Sequence, residues 1–138
     1  NVNTYLIFNK GVFMGLDQEM NSLSGDGKSY YWRKHARLQQ FMAKQWEKQN
    51  PNKQPNGSFN LGFNGGDEPV KITKELLDEW QEQIEEKYFN YFATDGFFWG
   101  QQFQEEQVKE YKKQDQEACD WAKAMLEKGE SVVYTCSW

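Results

Sequence analysis

The sequence predicts an α+β fold, with about three helices packed on a small, mostly antiparallel sheet. Three long segments repeat apolar residues every three or four positions, which indicates helices with one buried face. Shorter segments near the two ends are rich in β-branched and aromatic residues, which indicates strands. No internal repeat or change of composition divides the 138 residues, so we expect one domain over residues 1–138.

The first half of the chain predicts a strand and a helix joined by a polar loop. A strand or short hairpin is expected over residues 4–13, and residues 21–29 form a loop rich in glycine and serine. Ser29 is expected to be the N-cap of the first helix, which runs to about Gln49 before an Asn-Pro stop. Residues 50–70 are interpreted as one short strand or a packed loop.

The second half predicts two further helices and a final strand. Thr73 is expected to cap a helix that keeps apolar spacing as far as Tyr91. A third helix is expected from near Gln104 to the stop signal at Gly129. Residues 131–138 read as a strand that pairs antiparallel with the first one.

Composition and charge restrict the function. A net charge of −5 and a pI near 5.0 argue against a general DNA or RNA binder, which needs a basic surface. No apolar run approaches the length of a membrane span, and the start of the chain has no signal-peptide pattern. Two cysteines, Cys119 in a predicted helix and Cys136 in a predicted strand, do not make a disulfide framework, so a reducing cytoplasm is expected.

The segment from Ser29 to Arg37 is the strongest candidate for a binding site. It contains both arginines of the chain, its only histidine and three aromatic residues. On a helix, Arg33 and Arg37 lie one turn apart and can form a fork for a phosphate or carboxylate group, beside a stacking surface from Tyr30 or Trp32. In the alternative interpretation the arginines form a solvated helix face, and His35 is a core residue on the apolar face.

A second aromatic segment lies between two glycines, Gly96 and Gly100. Its three consecutive aromatic residues, Phe97, Phe98 and Trp99, cannot all point in one direction. At least one of them is therefore expected to be exposed, to pack on a neighbouring segment or to line a pocket.

Sequence patterns for cofactor, metal or nucleophilic chemistry are weak. Residues 25–29 have part of a phosphate-loop pattern, but Ser22 stands where that pattern requires a glycine. A single histidine and two separated cysteines give no triad and no zinc site. Only a carboxylate site could hold a metal, and neither a cofactor nor a metal is predicted; its candidate ligands are Asp17, Asp67, Glu68 and Asp95.

Four short motifs resemble a family of small proteins encoded by tailed bacteriophages. The motifs are Gly15-Leu16-Asp17, Tyr31-Trp32-Arg33-Lys34, the Gly-Phe-Phe-aromatic-Gly segment 96–100 and the terminal Ser137-Trp138. They occur in this order in the family and cover most of the chain. The resemblance implies a phage accessory protein that acts in the cytoplasm of the bacterial host, where proteins of this size redirect or block host functions, including defence.

Three functions follow as hypotheses. The first is a binding protein that counters host defence by sequestering a nucleotide-derived signal molecule. The second is a direct protein inhibitor of a host target, with the acidic helices as its surface, and the third is an enzyme that degrades such a signal. Homo-oligomerisation stays open. Phosphate contacts are expected from Arg33 and Arg37 and base stacking from Tyr31, Trp32, Phe98 or Trp99, with support from Asp17, Lys34, His35 and Asp95.

Overall fold

Strands and helices follow one another in an α+β order, as the sequence predicts. The computed structural model describes residues 16–23, 29–33, 35–56, 62–86 and 101–137, without the side chains of residues 36, 86 and 101–108. Within these residues the elements are β1 (Asp17–Ser22), β2 (Ser29–Arg33), α1 (Ala36–Gln49), β3 (Val70–Lys71), α2 (Lys74–Glu86), α3 (Gln101–Glu127) and β4 (Val132–Ser137).

The four strands form one antiparallel sheet in the order β2-β1-β4-β3. Asp17 pairs with Arg33 on one side and with Ser137 on the other, and Val70 pairs with Tyr134. The predicted C-terminal strand is confirmed, and its main partner is β1, which the sequence interpretation had not assigned as a strand. The strand or hairpin predicted over residues 4–13 lies outside the described residues.

The predicted helix start at Ser29 is wrong, because Ser29–Arg33 is strand β2 and the helix begins at Ala36. Three consecutive aromatic residues in this segment favour a pleated strand that pairs with β1. His35 takes the N-cap position, where its side chain accepts from the backbone of Leu38. Residues 25–29 therefore lead into a strand, which removes the helix that a phosphate loop requires.

The other helix ends that the structure describes lie close to their predicted positions, whereas the predicted extension of α2 to Tyr91 lies outside the described residues. Helix α1 ends at Gln49, as predicted, and Leu76 N–H donates to Thr73 Oγ1 at 3.1 Å, which confirms the cap of α2. Helix α3 begins three residues before the predicted Gln104. It stops before Gly129, whose φ of 83° is the left-handed conformation expected at a helix end.

Alternation along the strands separates an inner face from an outer face. On the inner face, Met20, Trp32, Val70 and Tyr134 are buried against the helices. The three helices supply most of the other residues of one aromatic-rich core, including Phe41, Trp46, Leu77, Trp80, Ile84, Ala118 and Met125. This core explains how a chain with few branched aliphatic residues fills its interior.

The outer face of the sheet is the surface that the four strands present away from this core. Its side chains are mostly exposed or half-buried, and they come from Asp17, Glu19, Asn21, Ser29, Tyr31, Arg33, Lys71, Thr135 and Ser137. Val133 also belongs to this face; it is buried but is not part of the core cluster.

Side chains also bind the backbone along both edges of the sheet. On the β2 edge, Gln114 Nε2 donates to the carbonyl of Tyr31 at 2.5 Å, and Tyr111 Oη donates to the carbonyl of Arg33 at 2.9 Å. On the β3 edge, Gln49 accepts from the N–H of Lys71 at 2.9 Å and donates to its carbonyl at 2.8 Å. Helices α3 and α1 therefore fasten the two edge strands.

Candidate functional site

Trp32, one of the expected stacking residues, is a core residue. It is 2% exposed and lies among Tyr30, Trp80 and Tyr134. Its indole Nε1 donates to Asp115 Oδ1 at 2.9 Å. A ligand on the surface cannot stack on this ring, because strand alternation sends it inward while Tyr31 and Arg33 point outward.

His35 is fully buried and both of its ring nitrogens are engaged. Nε2 lies 2.9 Å from Asp115 Oδ2, and Nδ1 accepts from Leu38 N–H at 3.4 Å. Because Nδ1 is an acceptor, the geometry places the proton on Nε2. Tyr111 stacks on the imidazole with ring centroids 4.3 Å apart. His35 therefore fits the structural interpretation, and it cannot assist chemistry at the surface from this position.

A buried polar network surrounds His35 and extends to the sheet. We define it as Gln18, Trp32, His35, Gln39, Asp115 and Tyr134. Gln18 contacts the backbone of His35 and donates to Tyr134 Oη at 2.9 Å, and Tyr134 donates to Gln39 Oε1 at 2.9 Å. These polar groups are satisfied inside the core, so they serve the fold.

Sequence reasoning missed Asp115, which links α3 to β2 and to the start of α1. The residue lies four positions after Tyr111 and three before Ala118, on the apolar face of α3, and it is fully buried. A single carboxylate at a core position is the signal that could have predicted a buried partner for the only histidine.

The two arginines lie in different environments. Arg33 is on the outer face of β2 with 63% of its side chain exposed, whereas Arg37 is in the first turn of α1 and only 5% exposed. The expected fork required both residues on one helix, one turn apart. Because residues 29–33 form a strand, that geometry is absent from the structure.

Tyr31, Arg33 and Asp17 form a small cluster on the outer face. Tyr31 Oη donates to Asp17 Oδ1 at 2.6 Å, and Arg33 Nε lies 3.8 Å from the same oxygen. The hydrogen bond to Asp17 raises the pKa of Tyr31, because the carboxylate disfavours the phenolate. The cluster thus holds an exposed aromatic ring and an exposed guanidinium group in place.

A depression of about 300 Å³ lies beside this cluster. The carboxylates of Asp17 and Glu19 and the ring of Tyr31 line it together with two hydroxyl side chains, Thr135 and Ser137. Its walls also include Gln18 and Cys136. Two acidic groups and no basic group form this lining, so the depression itself is acidic.

A second depression, of about 440 Å³, lies between α2 and α3. Its apolar walls come from Leu77 and Leu126, and its charged residues are two lysines and two carboxylates, Lys74, Lys123, Asp78 and Glu127. This balanced charge favours neither an acidic nor a basic partner.

Four candidate residues lie outside the described residues: Lys34, Asp95, Phe98 and Trp99. Within the ranges that the structure describes, no three histidine, cysteine, aspartate or glutamate residues are grouped as a metal site.

The cysteines are buried thiols. Burial raises the pKa of Cys119 to about 11 and that of Cys136 to about 12. Because a thiolate is the reactive form, neither side chain is activated as a nucleophile in this fold.

Comparison of the chain with protein-family models, with curated proteins and with solved structures finds no match. The resemblance to the phage family therefore stays an expectation from the four motifs. In the described part of the chain, every helix is too short or too polar to cross a membrane.

Proposed function

We propose that the chain is a non-catalytic binding protein that docks on another protein through the outer face of its sheet. The observation that supports this proposal is the position of the exposed apolar side chains. Among the described residues, the exposed large hydrophobic side chains are Leu23 (67% exposed) and Tyr31 (52% exposed). Tyr31 lies on the outer face, and Leu23 directly follows the end of β1, where its N–H donates to the carbonyl of Ser131 at 2.8 Å.

The composition of this face suits a protein partner. Tyrosine and arginine are among the side chains that most often dominate the binding energy at protein interfaces. Tyr31 and Arg33 are two positions apart on β2 and therefore point to the same side of the sheet. The hydrogen bond to Asp17 holds Tyr31 before a partner binds, which lowers the entropy lost on association. A sheet face also offers more contact area than a pocket for one small ligand.

The biological setting of this proposal comes from the phage resemblance. We place the protein in the bacterial host, where it blocks a host defence or takeover target by direct contact. The exposed face favours this second of the three hypotheses, because those expected nucleotide-binding residues that the structure describes are divided between the core and the surface.

Site-specific photo-cross-linking in infected or host cells tests the docking face. A photoreactive side chain is placed at Ser29, which is exposed on the outer face, and, as a control, at Glu82 on the exposed side of α2. We expect one dominant cross-linked host polypeptide from position 29 and none from position 82. Equal cross-linking at both positions, or none at position 29, would contradict the proposal.

A nucleotide-derived ligand is the second candidate, because Tyr31 and Arg33 still place an aromatic ring and a guanidinium group on one face. Such a ligand would stack on Tyr31 and contact Arg33 through phosphate, with Phe98 and Trp99 as further candidates. Native mass spectrometry of the protein purified from bacterial cells tests this candidate. A released nucleotide that is lost in an Arg33→Ala variant would favour sequestration, whereas a ligand-free protein would favour the protein partner.

A further inference from the structure

Resting on the proposed function, we infer that the depression beside Tyr31 receives a basic side chain, lysine or arginine, from the partner protein. The inference names the chemistry of the partner at the centre of the outer face. It depends on the charges, the aromatic wall and the size of the depression.

The walls of the depression match a cation. Glu19 lies directly opposite Tyr31 on one side and Thr135 on the other, so a carboxylate stands between an aromatic ring and a hydroxyl group. Opposite pairs of this kind have Cβ atoms about 4.5–5.5 Å apart, close enough for one inserted group to contact all three. A cation gains from the negative face of an aromatic ring and from nearby carboxylates.

Asp17 strengthens this match from the neighbouring row of the sheet. It lies opposite Ser137, and its carboxylate accepts from Tyr31. Arg33 lies at the rim, 3.8 Å from Asp17, and compensates only part of the acidic charge because Glu19 has no basic partner in the lining. An incoming guanidinium or ammonium group would meet Glu19 and the second oxygen of Asp17.

The same walls disfavour an anion. A phosphate group in the depression would face the carboxylates of Asp17 and Glu19, and the lining contains no basic group to balance them. The volume of about 300 Å³ is at the lower end of the range for small-molecule pockets, which suits one inserted side chain better than a whole nucleotide. The net charge of −5 also attracts a basic partner at long range.

NMR titration of the isotope-labelled protein tests the inference. The probes are a peptide of alternating glycine and arginine, and the same peptide with citrulline, which has the shape of arginine without its charge. We expect saturable shifts at Glu19, Tyr31 and Thr135 with the arginine peptide. A Glu19→Gln variant should bind it about threefold more weakly, as expected for one exposed charge pair.

A Glu82→Gln variant is the matched control, because it removes the same charge from the exposed side of α2. Its affinity for the arginine peptide should equal that of the parent protein. Equal binding of the citrulline peptide would overturn the inference, and so would an equal loss in both variants, which would indicate unspecific attraction. Shifts that miss the outer face would overturn it as well.

The two proposals fail separately. If arginine peptides do not bind but cross-linking at position 29 captures a host protein, the docking face stands and the basic side chain is excluded. If arginine peptides bind and cross-linking captures nothing, the depression is a cation site and the protein-docking proposal is wrong.

Discussion

The side-chain amide of Gln18 pairs with both backbone groups of His35. Oε1 accepts from the N–H of His35 at 2.9 Å, and Nε2 donates to its carbonyl at 3.0 Å. Gln49 makes the same two contacts with Lys71 at the sheet edge. In both places a glutamine substitutes for a paired strand residue, once in the core and once at the surface.

Replacing each glutamine by glutamate should lower the free energy of unfolding more in the core than at the surface. A carboxylate cannot donate, so Gln18→Glu would set a buried negative charge against the carbonyl of His35 and remove the donor to Tyr134. We expect a loss of about 3 kcal/mol or more in the free energy of unfolding. The exposed Gln49→Glu should cost about 1 kcal/mol or less. Urea unfolding followed by circular dichroism measures both, and equal losses would contradict this account.

Among the described residues, Asp115 is expected to be one of those whose substitution destabilises the fold most. It accepts from the indole of Trp32 and from the imidazole of His35, and all three side chains are buried. Asp115→Ala leaves both donors unpaired and opens a cavity, so we expect a loss of about 3–5 kcal/mol. Asp120→Asn, an exposed change on the same helix, should alter stability by less than about 0.5 kcal/mol. A small effect at Asp115 would show that the network contributes little.

Substitutions at two neighbouring residues of β2 should have different effects, one on stability and the other on partner binding. Trp32→Ala empties a core position and should cost about 3–5 kcal/mol. Tyr31→Ala on the outer face should leave stability within about 1 kcal/mol of the parent, because the ring is half exposed. The same Tyr31 variant should lose the partner captured by cross-linking at position 29. Retained capture would remove Tyr31 from the interface.

Two glycines with positive φ should respond differently to alanine. At Gly62, with φ of 88°, an added Cβ would lie 2.4 Å from Cβ of Ala43 on α1. At Gly129, with φ of 83°, an added Cβ would meet nothing within 4 Å. Gly129→Ala should therefore cost only the backbone strain, about 1 kcal/mol, and Gly62→Ala should cost clearly more. Thermal unfolding midpoints of the two variants measure the difference, and identical midpoints would contradict the contact with α1.

Alkaline pH should destabilise the fold in a defined window. Burial raises the pKa of Tyr111 from 10.0 to about 12 and that of Cys136 from 9.0 to about 12. Between about pH 9 and about pH 12, the unfolded chain has lost protons that the folded chain keeps, so the free energy of unfolding falls as pH rises. Each group contributes a slope of up to about 1.4 kcal/mol per pH unit.

The variants Tyr111→Phe and Cys136→Ala should each flatten this alkaline decline, which urea unfolding at a series of pH values measures. Both side chains also fill space in the core, so the comparison concerns the slope and not the absolute stability. A decline that keeps its slope in both variants would assign it to other groups.

The helices were predictable because their apolar spacing and end signals are local. Thr73 and Gly129 act within one helical turn of their own positions, so their meaning does not depend on the rest of the fold. The segment Ser29–Arg33 was misassigned because its apolar residues fit a helical spacing as well as an alternating one. Pairing with β1 makes this segment a strand and not a helix. β1 itself consists mostly of polar residues, so its sequence does not predict a strand.

The candidate site was predictable only in part for the same reason. One change from helix to strand moves Trp32 inward, keeps Tyr31 and Arg33 outward and separates Arg33 from Arg37. The link between His35 and Asp115 spans 80 positions in the sequence, and no local pattern connects them. Pairing across that distance required the tertiary structure.

The bonds that Gln114, Tyr111 and Gln49 make to the outermost strands have a consequence for association. A strand from another chain normally adds to a sheet by binding unpaired N–H and C=O groups, and an edge with such groups is a template for aggregation. Here the carbonyls of Tyr31 and Arg33 and both backbone groups of Lys71 are already occupied. The sheet therefore resists lateral growth at these positions.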